Sequence, residues 1–138
     1  MTMNRTLVLL KPDAVARGLV GEILGRFERR QITPVALELR TLDRATAELH
    51  YAEHVGKSFY EPTIAFMTGG PLVAAVLEGP DGTWEIVRAM MGATNSAAAA
   101  PGTIRGDFAT LMNRNLIHGS DSAESAAREI AVFFPSLV

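Results

Sequence analysis

The 138-residue chain contains no cysteine. Disulfides and thiolate zinc sites are therefore excluded, and a reducing cytoplasm is the expected setting. Long hydrophobic runs are also missing. Met1-Thr2-Met3-Asn4-Arg5 leads into a short apolar-rich run that stops at Lys11. That run is too short for a secretory core, and no later one approaches the ~18 residues of a membrane span. A soluble, unexported protein without a membrane partner is expected. An excess of one charge is missing too. The formal net charge is −2, which argues against bulk attraction to nucleic acid or acidic membranes, so no specific nucleic-acid partner is expected. There is no repeat and no charge block. What is present is an ordinary globular balance, 48% hydrophobic and 20% charged. The length suits a single domain over residues 1–138.

Thr6 to Leu10 is a continuous apolar-rich run and reads as a strand buried on both faces. Pro12 ends it, because proline lacks a ladder donor and pushes Lys11 toward extended geometry. Leu19, Val20, Ile23, Leu24 and Phe27 then mark a helical stripe, with Glu22 and Arg26 at i,i+4 spacing. In the next strand, Ile32 to Leu42, Val35, Leu37 and Leu39 alternate with Ala36, Glu38 and Arg40, which suggests one polar face. Asp43 is placed to cap a helix running to about Val55. A further helical piece covers Tyr60 to Met67, and a third strand covers Leu72 to Leu77. Pro80-Asp81-Gly82 is a turn signal, and a short helix runs from Trp84 to Met91. Residues 93–115 show no clear period; a loop of that length is usually functional or disordered. A short strand around Leu116 to His118 and a helix from Asp121 or Ser122 complete the chain. Asp121 and Glu124 have capping-box spacing, and Ala126, Ala127, Ile130 and Phe134 form the expected buried stripe. This order fits either a parallel doubly wound sheet or an antiparallel split-βαβ sheet.

The common phosphate-handling motifs are absent. There is no G-x-x-x-x-G-K-[ST], no G-x-G-x-x-G after a strand, and no H-R-D or D-F-G set. His50-Tyr51-Ala52-Glu53-His54 matches the H-x-x-E-H pattern of inverted zinc peptidases. It lacks a third ligand, so two solvated histidines are expected. His118 stands at a strand end before Gly119 and a capped helix, a junction that displays a side chain and aims N–H groups at an anion. A core or capping role is the bland alternative. Gly119 would allow close approach of a ligand, and Ser120 and Ser122 add donors. Glu129 lies where it can turn back to orient the imidazole. A neutral imidazole is a competent nucleophile toward phosphorus. Lys11, Arg88 and Arg105 are candidates to hold phosphate oxygens, with Arg114 a further one. A catalytically silent ligand-binding module is the competing reading.

Asn115-Leu116-Ile117-His118-Gly119-Ser120-Asp121-Ser122 resembles the N-x-x-H-G-S-D-S signature of nucleoside diphosphate kinases. The resemblance extends to Thr6 to Asp13, to Arg17 to Ile23, to His50-Tyr51 and Phe59, to Met91 to Thr94, and to Pro101 to Phe108. It implies an α+β, ferredoxin-like βαββαβ antiparallel sheet, with helices on one face and a long loop before the last strand. It implies ping-pong transfer of a γ-phosphate from a nucleoside triphosphate to a nucleoside diphosphate. His118 would be the phosphohistidine, Glu129 would hold its ring, and Ser120 would support that pair. Lys11, Tyr51, Arg88, Thr94, Arg105 and Asn115 would contact phosphates and sugar, and Phe59 would stack on the base. Mg2+ would arrive on the nucleotide, without dedicated protein ligands, although Asp121 could reach it through water. A closed homo-oligomer is implied, a hexamer ahead of a tetramer. The chain departs from the family pattern at Ser96, where a proline is usual, at Thr63, where an apolar residue is usual, and at Asn113, where glycine is common. The turn at Pro80 to Thr83 is one residue longer.

Overall fold

A computed structural model describes residues 4–137. Met1 to Met3, part of the N-terminal segment considered above for export, lie outside the described residues. β1 (Arg5–Leu10) is followed by a short helix, α1 (Pro12–Ala16), and by α2 (Val20–Arg29). β2 (Thr33–Arg40) leads to α3 (Arg44–His50), a 3-10 turn at Ala52–His54, and α4 (Tyr60–Thr68). β3 (Leu72–Glu78) leads to α5 (Thr83–Met91), a second 3-10 turn at Ser96–Ala98, and α6 (Ile104–Phe108). β4 (Ile117–Gly119) and α7 (Ala123–Phe133) follow, and a 3-10 turn at Pro135–Leu137 comes last.

The four strands form one sheet in the order β2-β3-β1-β4, with every neighbouring pair antiparallel. β3 is thus inserted between β1 and β2, which is the split-βαβ arrangement and not the doubly wound one. The expectation of helices on one face is corrected. Both faces are covered, because β1 and β3 are apolar at consecutive positions. Leu7, Leu9, Ala74 and Val76 pack with residues of α3, α4 and α7. Val8, Leu10, Val73, Ala75 and Leu77 pack with residues of α1, α2, α5 and α6.

β2 departs from this pattern. It pairs only with β3, and its apolar alternation faces outward, with Leu37 55% and Leu39 65% exposed. The alternation was legible as a strand, but the side expected to be buried is the open one.

Local signals account for most helix limits. Asp43 accepts a hydrogen bond from the Thr46 amide at 2.9 Å, as an N-cap should. The helix it starts ends at His50 rather than near Val55. α7 is capped by Ser122, which accepts from the Ser125 amide at 3.0 Å, and not by Asp121. Its buried stripe is Ala126, Glu129, Ile130 and Phe133, so Phe133 takes the place expected for Phe134. Pro12 does end β1, yet it also opens α1, since a fixed φ and a missing N–H suit the first helical turn. Among the described residues no helix is long and apolar enough to cross a membrane.

Candidate active site

The short β4 strand fixes His118 against the middle of the sheet. Leu9 is its register partner across the β1–β4 pair, and Gly119 lies opposite Val8. Gly119 has a different purpose from the one expected. A Cβ there would sit 2.5 Å from Met91 Sδ, so the glycine lets α5 pack against β4. Immediately after it, the Ser120 amide donates to the Leu7 carbonyl at 3.1 Å.

α7 brings Glu129 back over this strand. Glu129 Oε1 lies 2.8 Å from His118 Nε2 and accepts the Ser120 hydroxyl at 2.7 Å. Burial alone would raise the Glu129 pKa. The hydrogen bond and electrostatic attraction of His118, a smaller attraction from the His50 ring and the Ser120 hydroxyl oppose it, and the net direction is down. An ionised carboxylate only accepts hydrogen bonds, so the His118 proton belongs on Nε2. Nδ1 makes no hydrogen bond among the described residues, and in the neutral ring it is the nitrogen that carries the lone pair.

His118 opens into a cleft of about 460 Å³ lined also by Lys11, Tyr51, His54, Phe59, Tyr60, Thr63, Thr94, Met112 and Asn113. Phe59 is 48% exposed, with the His54 ring 5.3 Å away between centroids. Lys11 Nζ donates to Asn115 Oδ1 at 2.8 Å, and Asn115 Nδ2 donates to the Thr94 carbonyl at 3.2 Å. Burial lowers the Lys11 pKa to about 8. Arg105 adds to the fall, while Asp13 opposes it.

Of the expected site residues, Lys11, Tyr51, Phe59, Thr94 and His118 line this cleft together. Arg88, Arg105, Asn115, Ser120 and Glu129 stand behind that lining. Arg88 donates to the Gly119 carbonyl at 2.9 Å. Arg105 is buried and donates to the carbonyls of Asn115, Gly92 and Ile117. Those three bonds leave two of its five N–H groups free. Burial, followed by the charge of Arg88, lowers its pKa to about 10. Arg114 stacks over the Phe66 ring at 4.3 Å and lines a neighbouring groove with Lys11 and Phe59.

The chain bends sharply just before His118. Leu116 is fully buried at a φ of 74°, a left-handed conformation that leucine rarely adopts. Its amide donates to Asp13 Oδ2 at 3.1 Å, and its carbonyl accepts from the Lys11 amide at 2.8 Å. Asp13 was not singled out from the sequence. Its place directly after Lys11-Pro12 was the one available signal.

His50 was also misjudged. It is 5% exposed rather than solvated, and its ring meets His118 edge-on at 4.7 Å between centroids. Phe133 and Tyr51 flank it at 5.3 and 4.5 Å. Burial is the main reason its pKa falls to about 3; the nearby charges of His118, Arg128 and Lys11 add to this and Glu129 opposes. His50 is therefore neutral throughout the physiological range. His54 belongs to the following 3-10 turn, so the two histidines do not form an i,i+4 pair on one helix. Burial, with the charge of Glu129, raises the Tyr51 pKa.

The chain is similar to known proteins over nearly its whole length. The family model for nucleoside diphosphate kinase matches residues 4–137. A nucleoside diphosphate kinase from Nocardioides sp. is 62% identical, covering 96% of this chain and 98% of its own. One from Streptomyces coelicolor is 60% identical, covering 98% of each. Among solved structures, a halophilic nucleoside diphosphate kinase from Halobacterium salinarum in complex with CDP is 46% identical with a TM-score of 0.91, covering 94% of this chain and 86% of that one. A family protein from Babesia bovis is 41% identical with a TM-score of 0.93, covering 98% and 90%. With the His118–Glu129–Ser120 cluster beside an open cleft on a split-βαβ sheet, and a family match over nearly its whole length, this chain belongs to the nucleoside diphosphate kinases.

Proposed function

We propose that His118 carries a phosphoryl group between two nucleotides bound in turn in the Phe59–Lys11 cleft. In the first half-reaction, His118 Nδ1 attacks the γ-phosphorus of a nucleoside triphosphate. The N–P bond forms, the bond from phosphorus to the β–γ bridging oxygen breaks, and the nucleoside diphosphate leaves with that electron pair. In the second, the terminal oxygen of a different nucleoside diphosphate attacks the same phosphorus and the N–P bond breaks. Substrate and product share one cleft, so the second step is the reverse of the first on another base.

The observation that carries this reading is the 2.8 Å contact between His118 Nε2 and Glu129. It holds the ring in one tautomer, with the other nitrogen unprotonated in a side chain that lines the cleft. As phosphorylation makes the ring cationic, the carboxylate opposite Nε2 stabilises it. Ser120 fixes that carboxylate. Lys11 and the free N–H groups of Arg88 and Arg105 stabilise charge on the transferring oxygens. Tyr51, Thr94 and Asn115 bind phosphates and sugar, and Phe59 offers a stacking face to any base.

Mg2+ would enter as part of the substrate and would supply positive charge to its phosphates. Among the described residues, one group of three potential metal ligands is found, His50, His118 and Glu129. Its two nitrogens do not suit a hard, oxygen-seeking cation. Asp121, an exposed residue, could reach the ion through water.

The outward Val35, Leu37 and Leu39 on edge strand β2 support a homo-oligomer, with a hexamer ahead of a tetramer; sedimentation velocity distinguishes them. One domain spans residues 1–138, and the cytoplasm is its place of work. The decisive experiment for function is labelling with γ-³²P-ATP and Mg2+. It yields an acid-labile phosphoprotein that is discharged by any nucleoside diphosphate and is absent in His118→Ala. An unlabelled wild-type protein would overturn the proposal.

A further inference from the structure

We propose that His50, His118 and Glu129 form a site for a borderline-soft divalent ion, Zn2+ or one of its neighbours, and that occupation of this site switches the nucleophile off. One donor atom from each residue lies within 4.8 Å of the other two. Two imidazoles and one carboxylate are a donor set that zinc accepts with an open fourth position. His118 is the least buried of the three and lines the cleft, so a fourth ligand, water, enters past its side of the site.

A second observation points the same way. His50 is buried, yet its Nδ1 has no hydrogen-bond partner. Buried polar nitrogens are normally satisfied. Neither the fold nor the phosphoryl transfer uses this one. The donors are also positioned: Ser120 fixes Glu129 by a hydrogen bond, while Tyr51 and Phe133 pack against the His50 ring.

The fit is incomplete in two respects, and both bear on affinity. A tetrahedral ion at about 2.0–2.1 Å from each donor holds them about 3.4 Å apart. The widest pair must therefore close by roughly 1.4 Å, a side-chain rotation that also breaks the His118–Glu129 hydrogen bond. Lys11 beside the cleft and Arg128, whose Nη2 lies 3.6 Å from Glu129 Oε2, repel a dication. Together these make binding weaker than in structural zinc sites. Such a site empties and fills with the free metal level.

Zinc on His118 Nε2, the nitrogen beside Glu129, leaves the ring proton on Nδ1 and takes away the carboxylate that stabilises a phosphorylated ring, so metal and phosphoryl group exclude each other. Mg2+ does not compete, because it prefers oxygen ligands. The mutual exclusion rests on the phosphohistidine reading above; the metal binding itself does not.

The test uses untagged, nucleotide-free protein discharged with excess ADP. Isothermal titration with Zn2+ alone should give one ion per chain with a Kd of about 1–50 µM. Co2+ in its place should give the visible absorption bands of a four-coordinate site. Binding should weaken at least tenfold in His50→Phe, which keeps an aromatic ring in the same packing. Wild-type protein carrying the phosphoryl group should not bind, a comparison that needs no variant. Absence of binding at 100 µM Zn2+ would overturn the proposal. So would equal affinity in wild type and a folded His50→Phe, or equal affinity in the free and phosphorylated protein. Failure of labelling with ATP would instead count against the phosphotransfer reading and leave the metal titration standing.

Discussion

At the His118 end of the cleft, Arg105, Asn115, Ser120 and Glu129 are buried, and each is held by hydrogen bonds. At the Phe59 end, the aromatic ring, Met112 and Asn113 are exposed and make few directed contacts. The difference matches the roles proposed for the two ends. Developing charge on a phosphoryl group is stabilised only by donors fixed before the reaction starts. A stacking face needs no such fixing, because every base offers the same π surface. On the proposed roles, precision is concentrated where bonds change, and tolerance is left where substrates vary.

The sharpest way to break this contrast is to loosen the fixed end without emptying it. Glu129→Gln keeps shape and volume but removes the charge behind the His118 ring. The rate of phosphorylation by ATP should fall about 100-fold or more in stopped-flow labelling, within the usual range for acid–base partners. A fall of less than threefold would mean that the carboxylate only fills space.

Lys11 probes the same end through pH. Its pKa is lowered to about 8, first by burial and then by Arg105. A lysine lowered in the folded state loses its charge as pH rises through that value, whereas an ordinary lysine keeps it to above pH 10. kcat/KM for a nucleoside diphosphate should therefore drop above about pH 8, and Lys11→Arg should move the drop to higher pH. A wild-type profile flat to pH 9.5 would detach Lys11 from phosphate binding.

At the open end, effects should be smaller and shared by all bases. Phe59→Ala should raise KM about fivefold, equivalent to about 1 kcal/mol of lost stacking on a half-exposed ring. kcat should stay within a factor of two. A strong loss confined to one base would show that this end reads base identity after all.

The smallest effect concerns the loop behind the fixed end. Ser96 opens a 3-10 turn, is buried, and has a hydroxyl with no partner. The preceding Asn95 is extended, at φ −78° and ψ 104°, which suits a following proline. Ser96→Pro should stabilise the fold by about 0.5–1 kcal/mol, largely by restricting the unfolded chain. Calorimetry should show a rise of roughly 2–4 °C in Tm.

The strands and the larger helices were legible because hydrophobic period and caps are local. Asp43 announced α3, and the apolar run at Leu72 to Leu77 announced β3. His118 was legible in part, as a displayed histidine before a capped helix, and the family signature supplied its partners. The rest depends on distance along the chain. Lys11 and Asn115 meet across 104 residues, and Leu116 and Asp13 across 103; no local rule anticipates either pairing. α6 was missed because its five residues are too few to show a period, although Thr103 caps it. The outward face of β2 was misplaced because alternation shows that a strand has two faces, not which one is covered. His50 was misread for the same reason: a histidine at a helix end carries no mark of burial until α7 lies over it.

The left-handed backbone at Leu116 has a consequence for how activity appears as the protein folds. Local preference opposes this conformation by roughly 1–2 kcal/mol, and the contacts that hold it, with Asp13 and Lys11, come from the far end of the chain. A partly folded molecule that lacks the first strand has nothing to keep residue 116 in place, and so cannot aim Asn115 and His118 together. Turnover is then a property of the finished molecule alone. In a refolding experiment, regain of phosphotransfer should follow the last step of assembly rather than the growth of helix signal, making the active site a built-in report of completion.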